Sequence, residues 1–189
     1  PPHVLYLEDT DGDGKANIRE TILSGFAVSN PQHNFNNPTL GLDNWIYLGN
    51  EPAVTAKVFT KEFSDKGNEI HFPNHPDAPR LPENALGRSV RFRPDQLQIE
   101  TLSSQTQFGQ TFDQWGHRFL VSNGNHIFHE VIGANYLKRN PQLLVSNATE
   151  SISDHGAAAE VYPITSNPEH QLLTDLGVFT AACGITTYH

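Results

Sequence analysis

The chain has 189 residues, of which 37% are hydrophobic and 17% are charged, and this is enough apolar material for one ordinary globular core. Its formal net charge of −9 argues against a nucleic-acid partner, because a phosphate backbone is held by a surplus of Lys and Arg. A single cysteine, Cys183, leaves no internal disulfide to form, and no run of eighteen apolar residues predicts a membrane-spanning helix.

An acidic loop follows the first predicted strand. Carboxylates stand at alternate loop positions one, three and five, glycine stands at six, and glutamate stands at twelve, which is the pattern of a calcium-binding loop. The ligands that this pattern predicts are Asp9, Asp11 and Asp13, the backbone carbonyl of Lys15, and the side chains of Asn17 and Glu20. Both flanks are rich in strand-forming residues, so we expect Ca²⁺ to staple two strands together. The alternative is a solvated acidic turn.

Two later stretches share one design of strand, tight turn and strand. Residues 40–49 have Asp43 and Asn44 at the predicted turn, and residues 111–122 have an Asp-x-x-Gly turn that begins at Asp113. The other predicted elements are a strand at 53–60, a long irregular loop at about 61–86, a hairpin at 88–102, a helical turn at 135–139 and a weak strand at 160–164.

Many short strands in repeated units predict an all-β fold, most simply a β-propeller, with a β-sandwich as the alternative. Pro1 leads directly into a strand and His189 ends an apolar segment, so both ends look cut. We therefore expect residues 1–189 to form a single, incomplete β-propeller domain of a longer protein. An incomplete propeller exposes strand edges, and we expect other protein chains to cover them.

Six motifs resemble, in order and over nearly the whole chain, the propeller domain of the large proteins of Planctomycetes and Verrucomicrobia that are named membrane-bound dehydrogenases. They are Leu7–Lys15, Gly41–Tyr47, Gly87–Asp95, Thr106–Gly109, Phe112–Gly116 and Tyr136–Pro141. That family is distantly similar to the soluble sugar dehydrogenases, which hold pyrroloquinoline quinone (PQQ) on a six-bladed propeller. The resemblance implies PQQ as cofactor, a sugar or alcohol substrate, a c-type cytochrome as partner, and a periplasmic or otherwise exported location. This chain has no Cys-x-x-Cys-His haem motif.

The resemblance carries a catalytic role to His33. The sugar dehydrogenases place a catalytic histidine eight residues before the glycine of a turn, and His33 lies eight residues before Gly41. The resemblance implies that His33 is a general base that takes the proton of a substrate hydroxyl, a task that suits an imidazole because it titrates near neutral pH. The alternative is a loop histidine that is bonded to the backbone.

The resemblance also implies cofactor contacts at Gln105 and Gly109. The same enzymes place an arginine against the quinone seven residues before the phenylalanine of a Phe-Asp-x-x-Gly turn, and counting back from Phe112 gives Gln105. Glutamine can donate a hydrogen bond to a quinone oxygen, but it brings no fixed positive charge. Gly109 keeps the family pattern. The positive charge that the resemblance expects beside the quinone is therefore missing from its usual position.

These observations leave three functional hypotheses. The first is a calcium-binding propeller segment of a PQQ-dependent dehydrogenase-like protein. The second is a non-catalytic propeller that binds carbohydrate or docks a redox partner, with Trp45, Tyr47 and Trp115 as stacking or interface groups in place of core packing. The third is an assembly subunit within a larger complex.

Overall fold

The computed structural model describes residues 2–55, 60–153 and 181–188, and these residues form a largely β structure with one short α-helix. The strands are β1 (His3–Glu8), β2 (Ile18–Ser24), β3 (Asn36–Leu40), β4 (Ile46–Gly49), β5 (Glu69–Ile70), β6 (Leu81–Glu83), β7 (Val90–Arg93), β8 (Gln98–Thr101), β9 (Gln110–Phe112), β10 (Arg118–Ser122), β11 (Asn125–Glu130) and β12 (Thr149–Ser151). The helix α1 spans Ala134–Arg139. The all-β prediction is confirmed at this level.

The first two strands form an antiparallel hairpin that carries the acidic loop at its tip. Their register runs from His3 opposite Ser24 to Glu8 opposite Ile18. The strand-forming residues on both sides of the loop therefore pair with each other, as their composition predicts, and the loop joins two strands rather than two helices.

Two four-stranded antiparallel sheets follow. The first sheet has the order β3-β4-β7-β8 and the second has the order β12-β11-β10-β9, so each is a meander in which neighbouring strands follow one another along the chain, with β5 and β6 inserted between β4 and β7. The predicted turns lie where expected. Asp43 accepts the backbone N–H of Trp45 at 3.3 Å in the first sheet, and Asp113 accepts that of Trp115 at 2.9 Å in the second.

The proline-rich segment at 61–86 differs from a plain loop. It contains the small antiparallel pair β5-β6, and Ser24 forms an isolated bridge to His71, which ties the segment to the end of β2. Ile70, Phe72 and Ala85 are buried in the same core cluster as Leu48. Hydrophobic burial thus orders a segment whose sequence has no strand period. The predicted strand at 53–60 is not formed at 53–55, and residues 56–59 and 160–164 lie outside the described residues.

The main core lies under the first sheet, against the inserted segment. The buried side chains of this cluster are Leu23, Phe26, Leu48, Ile70, Phe72, Ala85, Val90, Phe92 and Ile99. They come from β2 and the residues that follow it, from both central strands of the sheet, from β8 and from the inserted segment. The core therefore joins the hairpin, the sheet and the insertion into one packed unit.

A left-handed turn at residues 84–87 closes the inserted segment. Asn84, Ala85 and Leu86 have φ values of 43°, 49° and 55°, and Gly87 follows at 73°. This conformation costs an L-residue roughly 1–2 kcal/mol. Buried amides hold the turn, since Asn50 Nδ2 donates to the Asn84 carbonyl at 3.2 Å and Asn84 Oδ1 accepts the N–H of Ala27 at 3.2 Å.

Replacing Leu86 with glycine should raise the free energy of unfolding by up to about 1 kcal/mol, because glycine relieves the left-handed strain and only its larger unfolded-state entropy opposes the gain. Leu86 is 71% exposed, so little buried area is lost. The control is Leu144→Gly, since Leu144 is also exposed but has no positive φ. Urea unfolding should show a higher free energy of unfolding for Leu86→Gly and a lower one for Leu144→Gly. Equal losses of stability in the two variants would contradict backbone strain at Leu86.

Candidate functional site

A cavity of about 430 Å³ opens beside the end of β4, between strands β10 to β12 of the second sheet and loop residues that flank β4, β7 and β8 of the first. We call it the dyad cavity, after the pair of Glu51, which lines it, with His33, which lies behind Glu51 and does not line it. Its polar lining includes Glu51, Arg88, Ser103, Gln105 and Gln107. Gln105 was predicted from the sequence as a site residue, whereas Glu51, Ser103 and Gln107 were not.

His33 pairs with a half-buried carboxylate at the edge of this cavity. Its Nδ1 lies 2.6 Å from Glu51 Oε1, and the two side chains are 20% and 14% exposed. Gln107 Nε2, from a second lining residue, lies 3.4 Å from the same ring nitrogen. The ring of His33 is thus bonded to a carboxylate, whereas the alternative from the sequence was a bond to the backbone.

The pairing sets the roles of the two ring nitrogens. A carboxylate accepts, so Nδ1 carries the proton that it donates to Glu51, and Nε2 is left with a lone pair that can accept a proton. Burial raises the pKa of Glu51, against the opposing attraction of His33. The pair has the arrangement of a general base that is oriented by a carboxylate.

Gln105 and Gly109 have different surroundings. Gln105 is exposed and lines the dyad cavity, as a cofactor contact would. Gly109 is buried at φ 127°, and its carbonyl accepts the Thr106 hydroxyl at 2.7 Å, so it shapes the backbone turn before β9. Of the two cofactor contacts that the resemblance implies, the structure brings only Gln105 into the cavity lining.

Arg88 is a functional candidate from a group of three arginines, with Arg91 and Arg93, that the sequence predicts to meet either acidic neighbours or an anionic ligand. It is exposed, lines the dyad cavity and donates from Nη1 to the Ser103 carbonyl oxygen. Arg91 and Arg93 are engaged by carboxylates, whereas no ion pair found among the described residues includes Arg88. A positive charge therefore reaches the cavity from the loop before β7. The position where the resemblance expects an arginine is occupied by Gln105.

The acidic loop gathers three of its predicted ligands. Oxygens of Asp9, Asp11 and Asp13 lie within 4.8 Å of one another, and all three residues are exposed. Asp9 accepts the backbone N–H groups of Gly12 at 2.7 Å and Gly14 at 2.8 Å, and these bonds lower the pKa of the Asp9 carboxyl. Three carboxylates in a curled loop are a donor set that fits Ca²⁺.

Of the remaining predicted ligands, the side chains of Asn17 and Glu20 have other partners. Lys15 donates its backbone N–H to Asp13 Oδ1 at 2.8 Å, and Asn17 Oδ1 accepts both the N–H and the hydroxyl of Thr10. Glu20 lies on β2, and its Oε1 accepts Asn74 Nδ2 at 3.1 Å. The structure therefore gathers the three aspartates, while side-chain oxygens of Asn17 and Glu20 are bonded to Thr10 and Asn74.

The comparisons with known proteins give one match. A family model described as a domain of unknown function (DUF7133) matches residues 1–189. No curated protein and no solved structure matches the chain. Among the helices that the structure describes, none is long and apolar enough to cross a membrane.

Proposed function

We propose a function for this chain, which belongs over residues 1–189 to a family described as a domain of unknown function (DUF7133). In this proposal the chain is a calcium-binding β-propeller segment of a PQQ-dependent sugar or alcohol dehydrogenase-like protein. The observation that carries the proposal is the contact of His33 with Glu51 at the edge of a cavity that also contains Arg88 and Gln105. It places a base, through its carboxylate partner, beside a polar cavity that is lined by a cation and an amide.

Strand order supports the propeller. Four-stranded antiparallel meanders are the blades of propellers, and the two large sheets would be two such blades. The first strands of neighbouring blades face a common axis in that architecture. Here β3 and β9, the first strands of the two sheets, meet through Asn37, whose carbonyl accepts Gln110 Nε2 at 3.0 Å and whose Oδ1 accepts the Gln110 N–H at 3.3 Å.

The residues of the dyad cavity fit a planar anionic quinone. Arg88 would attract a carboxylate of PQQ and Gln105 would donate to one of its oxygens, while the cavity of about 430 Å³ has room for a ligand of this size. When bound, PQQ accepts the hydride of the alcohol carbon. The protein holds His33 by its bond to Glu51, and Nε2 of His33 takes the hydroxyl proton.

Calcium has a structural role in this proposal. Asp9, Asp11 and Asp13 at the tip of the β1-β2 hairpin would bind the ion, and the hydrogen bonds of Asp9 to the loop backbone prearrange the site. The proposal also includes a periplasmic or otherwise exported location and a c-type cytochrome as electron acceptor. Because β8 and β12 each pair with a strand on one side only among the described residues, partner chains would cover their outer edges.

Thermal unfolding of the chain with Ca²⁺, with a chelator, and with Ca²⁺ plus PQQ tests both ligands. A ligand at a hundredfold excess over its Kd adds about 2.7 kcal/mol, which corresponds to roughly 5–10 °C in Tm for a domain of this size. Asp11→Asn should remove most of the calcium effect, and Arg88→Ala should remove most of the PQQ effect. Arg80→Ala, which changes an exposed arginine outside the cavity, is the matched control.

Each outcome has a defined meaning. A calcium-dependent rise without a PQQ effect would contradict the quinoprotein function and leave the calcium staple standing. The absence of any calcium effect would contradict the staple. A PQQ effect that survives Arg88→Ala but is lost in another cavity variant would contradict the role of Arg88.

A further inference from the structure

A second cleft, of about 620 Å³, shares no lining residue with the dyad cavity. We call it the aromatic cleft. It is bordered by Tyr47 and Arg91 of the first sheet, by Trp115 and His117 of the β9-β10 turn, and by Tyr136 of α1. With Phe112 and His129, which also line it, the cleft collects four aromatic side chains and two histidines.

Trp115 is presented to solvent on a tightly bonded turn. Its side chain is 73% exposed, although a large indole is favoured in the interior. Asp113 ties the turn together, because its carboxylate accepts the N–H of Trp115 at 2.9 Å and pairs with His117 Nδ1 at 2.7 Å. Desolvation opposes ionisation, but the bonds from His117 and the backbone lower the pKa of Asp113. The turn therefore holds an apolar platform in water.

The charged groups around the cleft neutralise one another. The ion pairs are Arg91 with Asp43 at 3.0 Å and with Glu100 at 2.6 Å, Lys138 with Glu100 at 2.9 Å, and Arg118 with Glu130 at 2.8 Å. The guanidinium of Arg91 also covers the ring of Trp45, 4.4 Å from its centroid. An incoming phosphate or ammonium would have to break such a pair, whereas an uncharged ligand would not.

We propose that the aromatic cleft binds a neutral carbohydrate, with a pyranose ring stacked on Trp115. The C–H face of such a ring is apolar and flat and matches an exposed indole, while its hydroxyl groups can exchange hydrogen bonds with polar side chains at the cleft edge, such as Asp43 and His117. Tyr136, which is also exposed, offers a second aromatic surface. This binding function does not depend on PQQ or on His33, and it goes beyond the proposed redox site.

Calorimetric titration of the full chain tests the proposal with a defined set of probes: maltotriose, cellotriose, xylotriose, mannotriose and galactotriose, with AMP and inorganic phosphate as charged probes. We expect at least one trisaccharide to bind with one-to-one stoichiometry. Trp115→Ala should weaken that binding at least about tenfold, and Trp115→Tyr should keep most of it because the platform remains aromatic. Tyr6→Ala, which removes an exposed aromatic of β1 outside the cleft, should leave it unchanged.

Failure of all five trisaccharides to bind would overturn the proposal, as would equal binding by the native chain and Trp115→Ala. Binding of AMP or phosphate in preference to the sugars, with the same dependence on Trp115, would overturn the neutral class of ligand. His33→Ala should bind the sugar like the native chain, so loss of the redox function and loss of this site are distinguishable.

Discussion

Replacing Glu130 with glutamine is expected to lower the free energy of unfolding by about 3–5 kcal/mol, which is a large part of the stability of a typical domain. Arg118 on β10 and Glu130 on β11 are 4% and 6% exposed and lie 2.8 Å apart. Ser103 donates to the other oxygen of the carboxylate. Glutamine would leave the buried guanidinium without a counter-charge, and its desolvation would no longer be compensated.

The chain contains a matched control for this prediction. Arg91 and Glu100 also lie opposite each other on neighbouring strands, but they are 18% and 28% exposed. Water and salt screen this pair, so Glu100→Gln should cost about 1 kcal/mol or less. Urea unfolding measures both changes in the free energy of unfolding, from the shift of the midpoint at an unchanged m-value. Equal losses of unfolding free energy in the two variants would show that burial does not increase the contribution of the Arg118–Glu130 pair.

The same pair sets an acid limit to stability. Burial acts to raise the pKa of Glu130, but Arg118 and Ser103 outweigh burial and lower the pKa below its ordinary value of 4.5. The folded-state pKa is then below the unfolded one, so this contribution is complete above about pH 4.5 and is lost as pH falls through the folded-state pKa. The stability difference between the native chain and Glu130→Gln should therefore shrink in that acid range.

Replacing His33 with alanine should lower the rate of PQQ-dependent substrate oxidation by about 10²–10⁴-fold, the usual contribution of a general base. The variant should still bind PQQ, because Arg88 and Gln105 remain in the cavity. Dye-reduction kinetics at saturating PQQ measure the effect. The substrates are glucose and ethanol, one for each proposed class.

Two further variants separate catalysis from structure. His75→Ala removes a histidine outside the dyad cavity and should leave the rate unchanged. Glu51→Gln should reduce the rate less than His33→Ala and change its pH profile, because the amide still holds the ring but no longer stabilises its charged form. A rate for His33→Ala equal to that of the native chain would contradict its role as base.

Local features were predictable from the sequence because short-range chemistry determines them. The turns at Asp43 and Asp113 follow from an aspartate that accepts backbone N–H groups two residues ahead, and the structure has both bonds. The strands beside the acidic loop follow from their β-branched and aromatic residues. The all-β class follows from these elements together, without knowledge of how the sheets pack.

The long-range parts of the site were not predictable in the same way. Glu51 comes to His33 across 18 residues, and Arg88 reaches the cavity beside Gln105 only when β7 has paired within the first sheet. The segment at 61–86 has no strand period, and its apolar residues are scattered among prolines, so its burial depends on the surface that it meets. Glu20 fits the calcium pattern by spacing, yet β2 directs it to Asn74.

The turn at residues 84–87 has a stereochemical consequence. L-amino acids favour a right-handed helical turn, and the turn at these residues is its left-handed mirror image. A D-amino acid introduced by peptide ligation at the exposed position 86 would find its own preferred backbone region there. Inversion of chirality at one α-carbon, which disrupts an ordinary helix or strand, would at this position relax the backbone.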